Sequence, residues 1–244
     1  MHRFFLTDTV LIVETSVDLA PIAHQLRSVL RLRPGDQIRL LDNRGSSFLT
    51  EIEMLDRGQA LGRVRAREAA GGEPPAAVVL YQCALKADKF EWVLQKATEI
   101  GVTHFVPVIS SRTIVRPTEK LRNKYDRWQA ILREAAEQSG RGRLPELADP
   151  LSWEKAVNEA TGVRLLPWEE TSTTARLDAA VPREATSISL LIGPEGGISQ
   201  DEADLAFAAG WRGVSLGPRV LRAETAALVA AALTVNVLEQ ASDE

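Results

Sequence analysis

Residues 187–222 read SISLLIGPEGGISQDEADLAFAAGWRGVSLGPRVLR. An apolar run ending at Ile192 leads into a glycine-rich loop, then a helical segment ending at Gly210, then a second apolar run at 213–217. The helical segment opens with Ser199–Glu202, which has the Ser-x-x-Glu form of a capping box. Buried apolar strands that alternate with helices are typical of a parallel sheet. The stretch therefore predicts an α/β fold.

The same alternation extends back to residue 78. Further apolar strand candidates are 78–85, 104–109 and 164–168. One helical stripe consists of Phe90, Val93, Leu94, Ala97 and Ile100, closed by Gly101; a second consists of Leu121, Tyr125, Trp128, Leu132 and Ala135, ending at Gly140. We predict a mostly parallel sheet with helices on both faces. Trp92 and Trp128 lie near these stripes, so both are expected in the core.

The first 70 residues have a different pattern. Turn signals at 33–36 and 43–45 separate short apolar or alternating runs, which predict strands, and His24–Leu32 could form one short helix. Glycine and proline cluster in AAGGEPP at 69–75. We place the domain boundary there: a small barrel-like domain over 1–72 and an α/β domain over 73–244.

Composition excludes several classes of protein. The 244 residues are 45% hydrophobic and 25% charged, which is ordinary for a folded domain. No run of about 18 apolar residues occurs, and the N-terminus lacks a secretory cleavage site, so we expect a cytoplasmic protein with no membrane partner. One cysteine and three scattered histidines argue against a zinc cluster, and we expect no metal.

Charge is distributed unevenly along the chain. The net charge is −4, yet residues 112–143 hold nine basic and four acidic side chains. We call this segment the basic window; its cations are Arg112, Arg116, Lys120, Arg122, Lys124, Arg127, Arg133, Arg141 and Arg143. Such a window fits either a surface that binds a polyanion or a solvated helix face.

Three loops follow candidate strands, at 166–169, 193–197 and 216–222. Ligands of open α/β sheets bind beyond the carboxyl ends of the strands, so these loops are the candidate site. The loop at 193–197 lacks the Gly-Lys-Ser/Thr of a triphosphate loop and the Gly-x-Gly-x-x-Gly of a dinucleotide site. The helix predicted after Arg222 is alanine-rich and almost uncharged over 225–238, so it must be buried in the core or in a subunit interface.

GPEGG at 193–197, followed by LGPRVLRAETA at 216–226, resembles the SPOUT class of S-adenosylmethionine-dependent RNA methyltransferases. Within that class the chain is similar to the bacterial 16S ribosomal RNA uridine-N3 methyltransferases (RsmE-like). The motifs that extend the resemblance along the chain are HRFF at 2–5, KADKFE at 86–91, QKATEIGV at 95–102, Ser111-Arg112 and EAAEQSGR at 134–141.

The resemblance implies a PUA-like N-terminal barrel, a deep trefoil knot in the C-terminal domain, and a homodimer with the knot helices at its interface. It implies S-adenosylmethionine as the methyl donor and 16S rRNA or the 30S subunit as the partner. The residues it assigns to the cofactor are Leu166, Gly193, Pro194, Glu195, Gly196, Leu216, Gly217, Pro218, Leu221 and Arg222. For Leu166, Leu216 and Leu221, packing in the core is the competing interpretation.

Methylation of N3 requires removal of a proton from the uracil ring. Glu224 is the candidate acceptor of that proton, and Arg222 is the candidate to stabilise charge on the carbonyl oxygens. A carboxylate is also favourable at a helix N-terminus, so Glu224 could instead serve as a cap. The candidate RNA contacts are Arg3, Lys86, Lys89, Arg112, Gln138 and Arg141.

Two other functions remain open at this point. One is an RNA-binding protein without catalysis, which would have no reason to bind S-adenosylmethionine. The other is a SPOUT methyltransferase that acts on a different RNA or on a ribose hydroxyl.

Overall fold

A computed structural model of the chain describes residues 1–113, 121–169 and 175–242. It divides into two compact units. The first unit comprises Met1–Glu73 and Ala136–Leu144, and the second comprises Pro74–Ala135 and Pro145–Glu244.

The first unit is a five-stranded sheet. Its strands are β1 (Arg3–Phe5), β2 (Ser16–Asp18), β3 (Gln37–Leu41), β4 (Ser46–Leu55) and β5 (Ala60–Ala69), in the order β1-β3-β4-β5-β2. β1 pairs with β3 in parallel, and the other pairs are antiparallel. Apolar side chains from alternate positions, such as Ile38, Leu40 and Ile52, are fully buried. The predicted helix at 24–32 is a single π-helical turn, Gln25–Val29.

Residues 136–144 also belong to the first unit. A single boundary near residue 72 therefore does not separate the two units completely. Glu137 accepts a hydrogen bond from the backbone N–H of Phe5 at 2.9 Å, and Asn43 accepts one from the N–H of Leu144 at 2.7 Å. Ala136 packs against the buried side chain of Phe5. Strands close in sequence and a distant segment therefore share one small core.

The second unit contains a seven-stranded sheet. Its strands are β6 (Ala77–Cys83), β7 (His104–Ile109), β8 (Glu146–Leu147), β9 (Leu151–Ser152), β10 (Val163–Pro167), β11 (Ser187–Ile192) and β12 (Arg212–Val214). The order is β12-β10-β11-β6-β7-β8, and β9 also pairs with β7. Each pairing recorded in the described residues is parallel, which confirms the predicted sheet type.

The described residues form six α-helices. They are α1 (Ala87–Ile100), α2 (Tyr125–Ser139), α3 (Trp153–Glu159), α4 (Leu177–Ala180), α5 (Gln200–Ala208) and α6 (Ala223–Ser242). β6 shows how they cover the sheet. Val78 and Leu80 enter a core cluster with residues of α1 and α6, while Tyr81 and Cys83 enter a second cluster with α3 and α5. Helices therefore lie on both faces, as predicted.

Several local predictions are confirmed and two need correction. Ser199 and Glu202 form the complete capping box, and α1 ends at Gly101, whose φ of 123° suits glycine. Trp128 is buried at 1% exposure, but Trp92 is 43% exposed, so its assignment to the core is wrong. The strand predicted at 213–217 is shorter, because β12 ends at Val214.

The final helix buries one face in the core of the second unit. Its buried residues are Ala227, Ala230, Ala231, Thr234, Val235 and Leu238. Leu228, Leu233 and Val237 are only partly buried beside them. The described residues contain no helix long and apolar enough to cross a membrane. They also contain no cluster of three or more side chains suited to a metal ion.

Candidate cofactor pocket and catalytic site

Three neighbouring strands bring the candidate loops together. β12, β10 and β11 are adjacent and parallel, so their carboxyl ends meet at one edge of the sheet. The loops that follow them line two neighbouring cavities, which share Pro167, Glu169, Val220, Leu221 and Ala226. We call the pair the strand-end site.

The first cavity, of about 170 Å³, lies between the loops after β10 and β12. Trp168, Leu216, Val220 and Leu221 contribute apolar side chains to its lining, and Glu169 and Arg219 contribute charged ones. Trp168 is nearly buried and packs on Phe207 with ring centroids 5.7 Å apart, which holds this wall in place. The apolar side chains form a surface suited to a flat ring, and the polar lining suits hydrogen-bonding groups at its edge.

The second cavity, of about 240 Å³, lies beside the loop that follows β11. Gly193, Pro194 and Glu195 form one side of it. Lys89 enters from the first turn of α1, and Arg222 and Glu224 enter from the start of α6. Both cavities therefore combine apolar and charged side chains, and the second also holds the ion pair of Lys89 and Glu224.

Lys89 is the centre of the charged group. Its Nζ lies 3.0 Å from Oε1 and 3.2 Å from Oε2 of Glu224, and 4.0 Å from Oε1 of Glu195. Glu195 also accepts a hydrogen bond from the backbone N–H of Lys86 at 3.3 Å. Three separate segments of the chain are thus joined at this point.

The pKa of Glu224 is lowered. Burial alone would raise it, but the carboxylate accepts a hydrogen bond from its own backbone N–H and another from Lys89, and Arg222 adds a favourable charge. Glu224 therefore stays ionised and is a weak proton acceptor. This environment favours the cap at the start of α6 over the role of general base.

The glycine-rich loop is held by a hydrogen bond from the loop that follows β7. Arg112 donates a hydrogen bond from Nη1 to the carbonyl oxygen of Gly196 at 3.1 Å. Glu202 accepts from the N–H of Ser111 at 2.6 Å and from the N–H and hydroxyl of Ser199 at 3.1 and 3.0 Å. A β-carbon at Gly193 would lie 2.7 Å from Cγ1 of Ile198, so the loop follows a path that only glycine fits without rearrangement.

Most residues predicted for the cofactor and for catalysis lie in the strand-end site. Those that line it are Gly193, Pro194, Glu195, Leu216, Gly217, Pro218, Leu221, Arg222 and Glu224. Gly196 lies next to it, against Arg112. Leu166 does not line it: the side chain is fully buried in the core cluster with Trp211, which supports the competing interpretation as core packing.

The residues of the site that sequence reasoning missed include Trp168, Glu169 and Val220. They belong to loops that the sequence already marked as strand ends, so extending the prediction to whole loops would have included them. Lys89 was assigned to RNA, yet it lies in the cavity. No sequence signal connects it with Glu224, which is 135 residues away in the chain.

The other predicted RNA contacts occupy varied environments. Arg3, Lys86 and Gln138 are exposed, and Arg112 is exposed while it holds Gly196. Arg141 is only 2% exposed, and its Nη2 lies 2.7 Å from Oε2 of Glu73. The structure contradicts the prediction for Arg141, because a buried guanidinium already bound to a carboxylate cannot contact phosphate.

Several cations of the basic window have acidic partners outside it. Arg127 pairs with Glu91 at 2.6 Å, and Arg122 approaches Asp149 at 3.5 Å. Arg116 and Lys120 lie outside the described residues. An excess of positive charge in the linear window is therefore not an equal excess on the surface.

Comparison with known proteins adds independent information. A family model described as an RNA methyltransferase domain matches residues 72–235, and one described as an RNA methyltransferase PUA domain matches residues 22–65. A ribosomal RNA small subunit methyltransferase E from Synechocystis is 36% identical, over 93% of this chain and 75% of the relative. The protein of that name from Bacillus subtilis is 29% identical over 94% of each chain.

The fold agrees with these relatives. A crystal structure of ribosomal RNA small subunit methyltransferase E from Neisseria gonorrhoeae, bound to S-adenosylmethionine, is 33% identical. It matches 97% of this chain and 98% of its own with a TM-score of 0.87. The chain therefore belongs to the RNA methyltransferase family, among the ribosomal RNA small subunit methyltransferases E.

Proposed function

We propose that this protein transfers a methyl group from S-adenosylmethionine to N3 of a uridine in the 16S ribosomal RNA of the small subunit. The observation that carries the proposal is the convergence of three strand-end loops on one site, in which two adjoining cavities combine apolar and charged side chains. The similarity to a methyltransferase that binds S-adenosylmethionine supports this identification of the ligand.

The residues present fit this methyl donor. Its adenine requires a flat apolar surface, which Trp168, Leu216 and Leu221 offer in the first cavity. Its amino-acid end and sulfonium carry charges of both signs, and the second cavity holds both Arg222 and carboxylates. When bound, the group supplies an electrophilic methyl, so the protein mainly has to orient the reactants and prepare N3.

Arg222 and Glu224 retain roles in the proposed catalytic group. Arg222 is exposed at the mouth of the second cavity, where its guanidinium can donate to a uracil carbonyl oxygen. Glu224, whose pKa is lowered, holds Lys89 instead of accepting the proton of N3.

Arg3, Lys86, Arg112 and Gln138 are the proposed contacts to RNA, since each is exposed. We further propose a trefoil knot in the C-terminal loops and a homodimer built on α6. The partly buried apolar side chains of α6, such as Leu228 and Leu233, support such an interface. The proposed place of action is the cytoplasm, where small subunits assemble.

Methylation assays test the proposal directly. The purified protein, S-adenosylmethionine and small subunits from a strain lacking the enzyme should yield N3-methyluridine, detected by nucleoside mass spectrometry. Free 16S rRNA in a parallel reaction shows whether the assembled particle is required. Binding of S-adenosylmethionine without any methylated nucleoside from either RNA would contradict the proposed reaction.

A further inference from the structure

Lys89 is placed to act on the substrate base and not on the RNA backbone. The side chain is 29% exposed and lines the second cavity, together with the loop at 193–195 and the start of α6. Among the described residues that line this cavity, Lys89 and Arg222 are the cations. Lys89 is the more enclosed of the two, because Glu195 and Glu224 flank its ammonium group.

The ammonium group has hydrogen-bonding capacity left for a ligand. Lysine carries three N–H donors. Glu224, at 3.0 and 3.2 Å, can take two of them, whereas Glu195, at 4.0 Å, lies beyond hydrogen-bond distance. At least one donor therefore remains for a group that enters the cavity.

Because Glu224 is a poor proton acceptor, another group must help to form the N3 anion. N3 of uracil must lose its proton before its lone pair can attack, and a carboxylate with a lowered pKa is poorly suited to take it. The uracil anion spreads its charge over N3 and the two carbonyl oxygens. A fixed cation next to one of these oxygens stabilises the anion.

We propose that Lys89 is a catalytic residue that donates a hydrogen bond to a carbonyl oxygen of the target uracil and so stabilises the N3 anion. This inference rests on the proposed methyl transfer. The N3 proton passes to solvent water, and the N3 lone pair then forms a bond to the methyl carbon. The carbon–sulfur bond breaks, and its electron pair remains on sulfur. Glu195, Glu224 and Glu169 are the acidic groups that line this cavity, and Glu224 orients the ammonium.

The test compares Lys89→Met with Lys89→Arg and a matched control. Lys96→Met is the control, because Lys96 also lies on α1 and pairs with a glutamate, Glu99, at 2.8 Å, outside the residues that line the site. Single-turnover methylation of small subunits is measured against pH, and S-adenosylmethionine affinity is measured by calorimetry. Thermal unfolding checks that each variant is folded.

We expect Lys89→Met to react about a hundredfold more slowly near neutral pH, the usual effect of removing one donor to a developing oxyanion. The loss should shrink as the pH rises, because hydroxide then ionises uracil without help. Affinity for S-adenosylmethionine should stay within about threefold, a change of less than 1 kcal/mol. Lys89→Arg should retain most of the rate, and Lys96→Met should match the unaltered protein.

Three results would overturn the inference. A rate loss of equal size at every pH would show a structural role, and a parallel loss of cofactor affinity would show that Lys89 binds the methionine carboxylate. An unchanged rate would exclude any catalytic role. If the unaltered protein forms no N3-methyluridine, the proposed function falls too, and this result is distinguishable because it appears before any variant is compared.

Discussion

In the basic window and in the strand-end site, positive side chains lie beside carboxylates, but the pairs serve different purposes. Arg127 and Arg141 of the window each bind an acidic partner from outside it, which neutralises the charge locally. In the strand-end site Lys89 is also paired, yet the pair faces a cavity and retains a free donor. The position of a charge relative to a cavity, more than its density along the chain, identifies the candidate site.

The largest expected effect comes from Arg141 in the window. Arg141→Ala leaves Glu73 without its buried partner, so we expect the free energy of unfolding to fall by about 3 kcal/mol. Urea unfolding measures the change. The exposed Arg176, paired with Asp178, provides the matched control, and Arg176→Ala should leave the midpoint unchanged. Equal midpoints for Arg141→Ala and the unaltered protein would contradict the structural role.

In the strand-end site, the glycine-rich loop at 193–197 should be sensitive to substitution. The side chain in Gly193→Val would overlap Ile198, where even a β-carbon lies 2.7 Å from Cγ1. Overpacking of about 1–3 kcal/mol corresponds to a loss of S-adenosylmethionine affinity of roughly fivefold to 150-fold. Calorimetry provides the measurement. Gly71 has open space around it, so Gly71→Val should bind normally; unaltered affinity in Gly193→Val would mean that the loop does not hold the ligand.

The stabilisation by Glu202, which accepts hydrogen bonds from Ser111 and Ser199 beside that loop, should depend on pH. Burial raises the pKa of Glu202, but hydrogen bonds from Ser111 and Ser199 outweigh this effect and hold the pKa below its usual range. Because the folded state prefers the ionised form, its stabilisation is present above the ordinary carboxyl pKa and is lost as the pH falls through the folded-state value.

We therefore expect Glu202→Gln to lower the free energy of unfolding by about 1 kcal/mol at neutral pH. The difference from the unaltered protein should shrink as the pH falls below the ordinary carboxyl pKa and vanish once the pH is below the lowered folded-state pKa. Urea unfolding at neutral and at acid pH gives the free energies. Glu154→Gln, at an exposed position in the first turn of α3, is the control. A difference that persists unchanged in acid would show that the charge of Glu202 is unimportant.

The smallest effect compares RNA binding by Lys86, beside the strand-end site, with RNA binding by Arg127 of the basic window. Lys86 is exposed, and no ion pair is recorded for it among the described residues, whereas Arg127 is paired with Glu91. Lys86→Ala should make the negative slope of log affinity against log salt shallower by roughly 0.7 to 0.9, the value of one phosphate contact. Arg127→Ala should leave the slope unchanged. Filter binding over several salt concentrations measures both, and the reverse result would restore the basic window as the RNA surface.

Local pattern predicted much of the fold. The strand candidates at 104–109 and 187–192 agree with β7 and β11, because each is an apolar run bounded by turns or caps. The Ser199–Glu202 capping box was also predictable from local sequence, because its two residues lie three positions apart. The three strand-end loops followed from the topology of parallel sheets.

Contacts between distant residues could not be predicted in this way. A count of charges over 112–143 cannot reveal that Arg141 is buried against Glu73, 68 residues away in the chain. The amphipathic stripe near Trp92 indicates a helix, but the core covers less of that helix than expected, and the indole remains exposed. The assignment of Lys89 to RNA was reasonable for an isolated lysine, and only the position of α6 gives it a different role.

The contribution of residues 136–144 to the first unit has a consequence for synthesis of the protein. When residue 73 leaves the ribosome, Glu73 and Asn43 still lack the partners that Arg141 and Leu144 provide. About 70 further residues must be translated, which takes roughly 4–14 s at about 5–20 residues per second. During this interval all five strands of the sheet are present but the first unit lacks residues 136–144, so its core is completed only after much of the following domain has been made.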